Sequence, residues 1–227
     1  MKLPLIFLNA AITIDGKMAT RTGDCELSSE EDWKIVHNLR NEYQGLMIGG
    51  NTAKIDNPKL TIKPEYIDDK KAINYPIRII IDSKASLPSN ANCLTYMPEI
   101  KTIIGVSKSA SESNIEKLEK AGAIIIQTDG DHVNMTNFLE EIYKEQGIQS
   151  IMVEGGGTLI WTLLKEKLIK KFRLYLAPKV AGGEKAISLV RGEGFKLLRD
   201  GPNVNYTLAK KFGEGVVIEG YFIYSKL

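Results

Sequence analysis

Ser150-Ile-Met-Val-Glu-Gly-Gly-Gly-Thr-Leu-Ile-Trp161 is the stretch that decides how this chain reads. A buried-strand run, Ile151 to Val153, stops at Glu154 and gives way to Gly155, Gly156 and Gly157; helical sequence starts at about Thr158. Glycines at such a junction admit positive φ and let the backbone approach a ligand closely. The unpaired N–H groups and positive dipole end of the following helix favour an anion, by roughly 0.3–1 kcal/mol per exposed unit charge. The turn therefore reads as a nucleotide-phosphate cradle, with Glu154 beside it as a recognition or acid/base carboxylate. Tight packing alone is the competing reading of the same glycines. Gly155 and Gly157 begin a dinucleotide fingerprint, but Ile160 stands where its third glycine belongs, and no Gly-x-x-x-x-Gly-Lys-Ser/Thr loop occurs. Neither a Rossmann dehydrogenase nor a P-loop NTPase is supported.

Outward from the cradle, strands and helices alternate. Leu3 to Ile14 reads as a buried strand ending at Asp15-Gly16, and Ser28-Ser29-Glu30-Glu31 as a capping box opening a helix through Trp33, Val36, Leu39 and Tyr43. Leu46–Ile48 is a short strand leading into Gly49-Gly50-Asn51-Thr52, a second glycine-rich turn, and Asp56-Asn57-Pro58 breaks the chain. Residues 64–75 are polar and read as an exposed excursion. Strands follow at 77–81, 102–106 and 123–126, helices at 113–121 and 136–145, and then the cradle strand and its helix to about Lys167. The end is strand-rich, 172–177, 204–212 and 216–224, with Gly213-Glu214-Gly215 joining the last two as a hairpin. This pattern predicts an α/β protein: a mixed, mostly parallel sheet flanked by helices, with a C-terminal antiparallel hairpin. A single domain over residues 1–227 is expected.

Composition narrows the partners. The net charge of +2 comes from interspersed charges, so nucleic acid is not expected. Cys25 and Cys93 lie far apart and the chain has only 2 histidines, which argues against a metal site. The hydrophobic N-terminus runs straight into a strand pattern without a small-residue cleavage site, and no apolar run approaches the roughly 20 residues of a membrane span. A soluble cytoplasmic protein is the expectation.

Ligands of an open α/β sheet bind outside the carboxyl ends of its strands. Several unusual residues fall at those ends: Asp15 and Lys17, then Gly49, Gly50 and Thr52, then Ser83 and Lys84, then Glu154 with its glycines. Each alone has an ordinary explanation as a turn or a solvated charge. Together they suggest a division of labour. The two glycine-rich helix starts would hold a dinucleotide pyrophosphate from both sides, and Ser83 with Lys84 would contact an adenosine 2′-phosphate, favouring NADP over NAD. Asp15, Arg40, Lys63 and Glu154 are left for a polar, anionic substrate. His37 reads as a packing or capping histidine.

With these residues assembled, the chain resembles the pyrimidine reductase family of riboflavin biosynthesis, over nearly its whole length. The resemblance is carried by Thr13-Ile-Asp-Gly-Lys-Met-Ala19, Ser29-Glu-Glu-Asp32 with His37 and Leu39-Arg40, Gly49-Gly-Asn-Thr52, Asp56-Asn-Pro-Lys-Leu-Thr61, Arg78 to Lys84, Val153-Glu-Gly-Gly-Gly-Thr-Leu159, and Ala177-Pro-Lys179 with Gly182-Gly183. It is most similar to the free-standing archaeal type. The resemblance implies a dihydrofolate-reductase-like fold, NADPH as cofactor with NADH a weaker possibility, and a homodimer. It implies cofactor contacts at Thr52, Asp56, Asp82, Ser83, Lys84, Ala85, Gly156, Gly157, Thr158 and Leu159, and substrate contacts at Arg40, Leu60 and Glu154. Lys63 stands where bacterial relatives carry arginine, keeping the charge but losing the bidentate fork. Two further departures are Glu26-Leu27 in place of a tryptophan, and Lys170-Lys171 in place of an acidic pair.

The activity so implied is reduction of 2,5-diamino-6-ribosylamino-4(3H)-pyrimidinone 5′-phosphate to its ribitylamino product, by hydride transfer to C1′ of the ring-opened sugar imine. Ring opening calls for a proton donor, for which Asp15, Lys17 and Glu154 are the candidates. Glu154 could instead pair its acceptors with the N–H edge of the pyrimidine, the role favoured here. The alternatives are reduction of the deaminated uracil compound, dihydrofolate reduction, and NADP binding without turnover.

Overall fold

A computed structural model describes residues 2–68 and 71–224. The first strand, β1 (Leu5–Thr13), continues past a Thr13–Gly16 turn into the short β2 (Lys17–Ala19). Helix α1 (Glu30–Glu42) leads into β3 (Gly45–Gly49), and α2 (Gly50–Asp56) follows β3 without a loop. After β4 (Ile77–Ile81) and the single turn α3 (Asn92–Thr95) come β5 (Thr102–Ser107), α4 (Glu112–Lys120), β6 (Ile124–Thr128) and α5 (Met135–Glu145). The cradle strand β7 (Ser150–Gly155) feeds α6 (Gly157–Lys165) and then β8 (Ile169–Ala177). A long excursion carrying β9 (Ile187–Ser188) precedes the hairpin β10 (Asn203–Phe212) and β11 (Gly215–Ile223).

Among the described residues, nine strands form one sheet in the order β10-β11-β8-β1-β7-β3-β4-β5-β6. The strands from β8 to β6 run parallel, while β11 is antiparallel to β8 and β10 to β11. This is the mixed, mostly parallel architecture expected from the alternating elements. The chain skips from β1 to β3, walks outward to β6, and returns to fill the gap with β7. Then α6 carries it across β1 to β8. The order reverses around β1, β7 and β3, where an α/β sheet opens a crevice at its carboxyl edge.

Strand periodicity divides the core. Ile6, Leu8, Met47, Ile79, Ile103, Ile151 and Val153 face α5 and α6, while Phe7, Leu46, Ile48, Ile80, Ile104 and Met152 pack with α2, α3 and α4. Successive residues point to opposite faces, so a strand buried on both sides must be apolar throughout. Val36 of α1 is also buried, and Tyr43 just beyond its end stacks on Phe7 with ring centroids 5.1 Å apart.

One local expectation is corrected. The α1 cap is Ser29, whose hydroxyl accepts from the Asp32 N–H at 3.2 Å, rather than a box from Ser28 to Glu31. The reason is long-range: Asp32 turns inward to the buried Arg173 of β8 at 2.6 Å, and Arg173 also donates to Asn9 at 3.1 Å. The stretch after Lys63 is mostly exposed, as expected, and is tied to the rest of the fold at a few points. Pro64–Tyr66 forms a 3-10 turn against α1, where the Asn38 side-chain amide donates to the Tyr66 carbonyl at 2.9 Å, and Ile67 is buried. Asp69 and Lys70, which fall in that stretch, lie outside the described residues.

Candidate active site

At the carboxyl end of β7, Glu154 meets Arg40 of α1 in a bidentate pair. Arg40 Nε donates to Oε1 and Nη2 to Oε2, both at 2.7 Å, with both side chains largely shielded from solvent. The remaining arm, Nη1, donates to the Thr61 carbonyl at 2.7 Å. Such a fork fixes the plane of the carboxylate. Glu154 therefore presents its remaining lone pairs in a set direction, as recognition of a planar N–H edge requires.

Leu60 and Lys63 lie on the segment beside this pair. Leu60 is buried and left-handed at φ 48. The Lys63 N–H donates to His37 Nδ1 at 3.1 Å, and its ammonium lies 5.4 Å from the Tyr66 ring centroid. His37 sits between the rings of Trp33 and Tyr66. Burial, with smaller contributions from the Arg40 and Lys63 charges, pushes its imidazole down to about 3. It is neutral at ordinary pH and serves as a packed acceptor.

The turn after β1 places two further candidates differently. Asp15 accepts from the Ala181 and Gly182 N–H groups at 3.1 and 2.8 Å. The Thr13 hydroxyl and these amides hold its carboxyl down at about 2. Lys17 Nζ donates to the Ser188 hydroxyl at 2.9 Å. Ser188 also ties this corner to the cradle, because a Cβ on Gly157 would come within 2.7 Å of the Ser188 carbonyl oxygen.

The glycine-rich turns abut one another. A Cβ on Gly156 would lie 3.1 Å from the Gly49 nitrogen, and one on Gly50 would lie 2.8 Å from Asp82 Cβ. Thr52 approaches Gly155. Gly157, Gly156 and Gly50 are thus required by close approach of the chain to itself. The packing reading of these glycines, weighed from the sequence, therefore holds. Gly156 has φ 98 and no side chain caps α6, so the first-turn N–H groups with Thr158 and Leu159 head the helix without a side-chain acceptor.

Beyond β4, the buried Asp82 carboxylate accepts from the Ser86 and Leu87 N–H groups at 2.6 and 2.7 Å and shapes the loop that follows. Ala85 is left-handed at φ 51 within it. The Ser83 hydroxyl accepts from the Val133 N–H at 3.2 Å, and Lys84 is exposed. Lys54 of α2 donates to the Ser86 hydroxyl at 2.8 Å. A cavity of about 600 Å³ opens here, lined by residues 85–90, Asn114 and Lys117. A second, of about 300 Å³, lies between Thr13, Thr20, Leu27 and Lys179. Asp56 ends α2 at the surface, and partial desolvation of its carboxyl pushes it up.

Sequence reasoning assigned no role to Ser188, Lys54, Arg78 or the Asp32–Arg173 pair. Arg78 alone left a legible signal, as a lone charge in an isoleucine run.

The mixed nine-stranded sheet with its carboxyl-edge site is the dihydrofolate-reductase-like fold of riboflavin-pathway reductases. Residues 4–218 match the family described as RibD C-terminal domain, and the chain belongs to that family. Among its relatives is a 2,5-diamino-6-ribosylamino-4(3H)-pyrimidinone 5′-phosphate reductase of Methanothermobacter thermautotrophicus, 36% identical over 95% of this chain and 97% of the relative. A like-named reductase of Aquifex aeolicus is 34% identical over 88% of each chain. The fold is shared with RibD of Acinetobacter baumannii, with a TM-score of 0.82 at 20% identity, covering 97% of this chain and 58% of that one. It is shared also with a pyrimidine reductase-like protein of Corynebacterium diphtheriae, with a TM-score of 0.81 at 14% identity, covering 98% and 93%. No helix among the described residues is long and apolar enough to cross a membrane.

Proposed function

We propose that this chain is an NADPH-dependent reductase of 2,5-diamino-6-ribosylamino-4(3H)-pyrimidinone 5′-phosphate in riboflavin biosynthesis. The observation that carries the reading is the 36% identity to a reductase of that name over 97% of the relative's length. The forked Glu154 at the switch point of the sheet agrees with it.

The cradle fits a dinucleotide. Helix α6 opens on a left-handed Gly156 with no side-chain cap, and Thr52 and Gly155 lie side by side at the neighbouring turn. Residues Gly155–Leu159 and Thr52 would seat the pyrophosphate. Ser83 and Lys84 would take a 2′-phosphate, with Lys54 and Lys117 adding positive charge nearby, which favours NADPH. When bound, this cofactor supplies the hydride that reduces C1′ of the sugar.

The chain's own groups do the rest. Glu154, its plane fixed by Arg40, accepts from the N–H edge of the pyrimidine. Lys63 supplies charge for the substrate phosphate as an ammonium rather than a fork. Of the three candidate proton donors, Asp15 is held as a carboxylate by Thr13, Ala181 and Gly182, and both oxygens of Glu154 already accept from Arg40. Lys17 remains, its ammonium oriented by Ser188, and it is assigned the proton that opens the ribose ring.

The test follows NADPH oxidation by the purified chain with the diamino compound, its deaminated counterpart and dihydrofolate. Turnover confined to the diamino compound is expected. NADPH binding without oxidation on any of the three would reduce the chain to a cofactor-binding protein.

A further inference from the structure

Leu60–Lys63 passes the Arg40–Glu154 pair without joining a strand or helix. Groups on other elements nevertheless hold it along its length. The Leu60 carbonyl accepts from Arg78 Nε at 3.3 Å, the Thr61 carbonyl accepts from Arg40 Nη1 at 2.7 Å, and the Lys63 N–H donates to His37 Nδ1 at 3.1 Å.

Arg78, in β4, is fully buried, and burial pushes its guanidinium down. It donates to backbone carbonyls: besides Leu60, those of Cys93 at 2.9 Å, Tyr96 at 2.8 Å and Met97 at 3.4 Å. Burying such a charge is costly unless its donors are satisfied, and here backbone carbonyls receive them. What the guanidinium holds accounts for its presence. Leu60 and Met97 are both left-handed, at φ 48 and 49. Residues other than glycine keep that conformation only where their surroundings enforce it, and such strain gathers at functional sites. The carbonyls of both strained residues converge on Arg78, and the Thr61 hydroxyl reaches Met97 Sδ at 3.8 Å. His37 anchors the other end. It is 2% exposed, and its ring centroid lies 5.9 Å from that of Trp33 and 5.2 Å from that of Tyr66. With Arg40 and Lys63 as the charges facing it, it remains an acceptor for the Lys63 N–H.

We propose that Arg78 and His37 are positioning residues of the substrate site. They hold the backbone of Leu60–Lys63 so that the Arg40–Glu154 fork and the Lys63 side chain present to the substrate together. The inference rests on the reductase reading for its substrate, while the residues proposed to seat the cofactor lie on α2, in the loop after β4 and at the β7–α6 turn.

The test compares Arg78→Met, Arg78→Lys, His37→Leu and His37→Asn in the full chain. Asparagine Oδ1 restores an acceptor near the position of Nδ1. The readouts are KM for the diamino pyrimidine, KM for NADPH, kcat, and amide hydrogen exchange at residues 60–63. Arg78→Met and His37→Leu are expected to raise the pyrimidine KM by about tenfold or more, with NADPH KM and kcat within about threefold of wild type. Exchange at 60–63 should quicken by about tenfold while the sheet stays protected, and His37→Asn should recover most of the loss. Unchanged pyrimidine KM and exchange would overturn the proposal, as would parallel rises in both KM values. If Arg78→Met fails to fold, the His37 pair decides. A wild-type protein that turns over none of the candidate substrates refutes the reductase reading instead, and the exchange comparison alone then judges the anchoring of residues 60–63.

Discussion

At the scale of single residues, the site separates charges by what already holds them. Asp15 and Glu154 were both candidate proton donors from the sequence, as carboxylates at strand ends, with Glu154 favoured for recognition. The first is spent on two backbone N–H groups and a hydroxyl, the second on a guanidinium fork. Lys17 carries transferable protons and only a hydroxyl partner. Lys17→Met is therefore expected to lower kcat by about 10²-fold or more, in the range of a lost general acid, without changing the affinity for NADPH. Stopped-flow turnover with a parallel NADPH titration checks this; an unchanged kcat would return the role to Glu154. Little of this selection was legible in the sequence, because every partner except Thr13 comes from a distant segment. Ala181 and Ser188 lie more than a hundred residues from the groups they hold.

Legibility at the scale of elements tracks how local the determining forces are. β4 lies at Ile77–Ile81 as read from an isoleucine run, and α5 starts one residue before its predicted Thr136. The β7–α6 junction is equally clear, since the change from a strand run to glycines to an apolar helix is local. The β2–β9 ribbon was not foreseen: it has 3 and 2 residues in its strands, and its pairing joins Lys17 to Ser188 across the chain. The α1 cap shifted by one residue because a buried ion pair with β8 outweighed the local box. The anchoring of Leu60–Lys63 escaped notice for the same reason. The segment is held by side chains from α1 and β4, and no local pattern encodes that.

For the whole molecule, the buried neutral His37 couples folding to pH. Its folded value of about 3 lies below the ordinary 6.5, so between those values the unfolded chain takes up a proton that the folded chain refuses. The contribution is fully present above pH 6.5 and is lost as pH falls towards 3. Within that window stability should fall by about 1.4 kcal/mol per pH unit from this group alone. Urea midpoints for wild type and His37→Asn measure it. The variant should show the shallower acid slope, and identical slopes would mean that His37 titrates normally in the fold.

The larger claim is that the carboxyl edge of this sheet brings a nicotinamide and a ribosylaminopyrimidine together for hydride transfer to C1′. The most direct measurement is a single turnover of the diamino substrate with NADPH deuterated at the reactive C4 position, followed by NMR of the product. One deuterium at C1′ of the ribityl chain is the predicted result. A reduced product without deuterium at C1′, or with deuterium on the pyrimidine ring, would contradict the account.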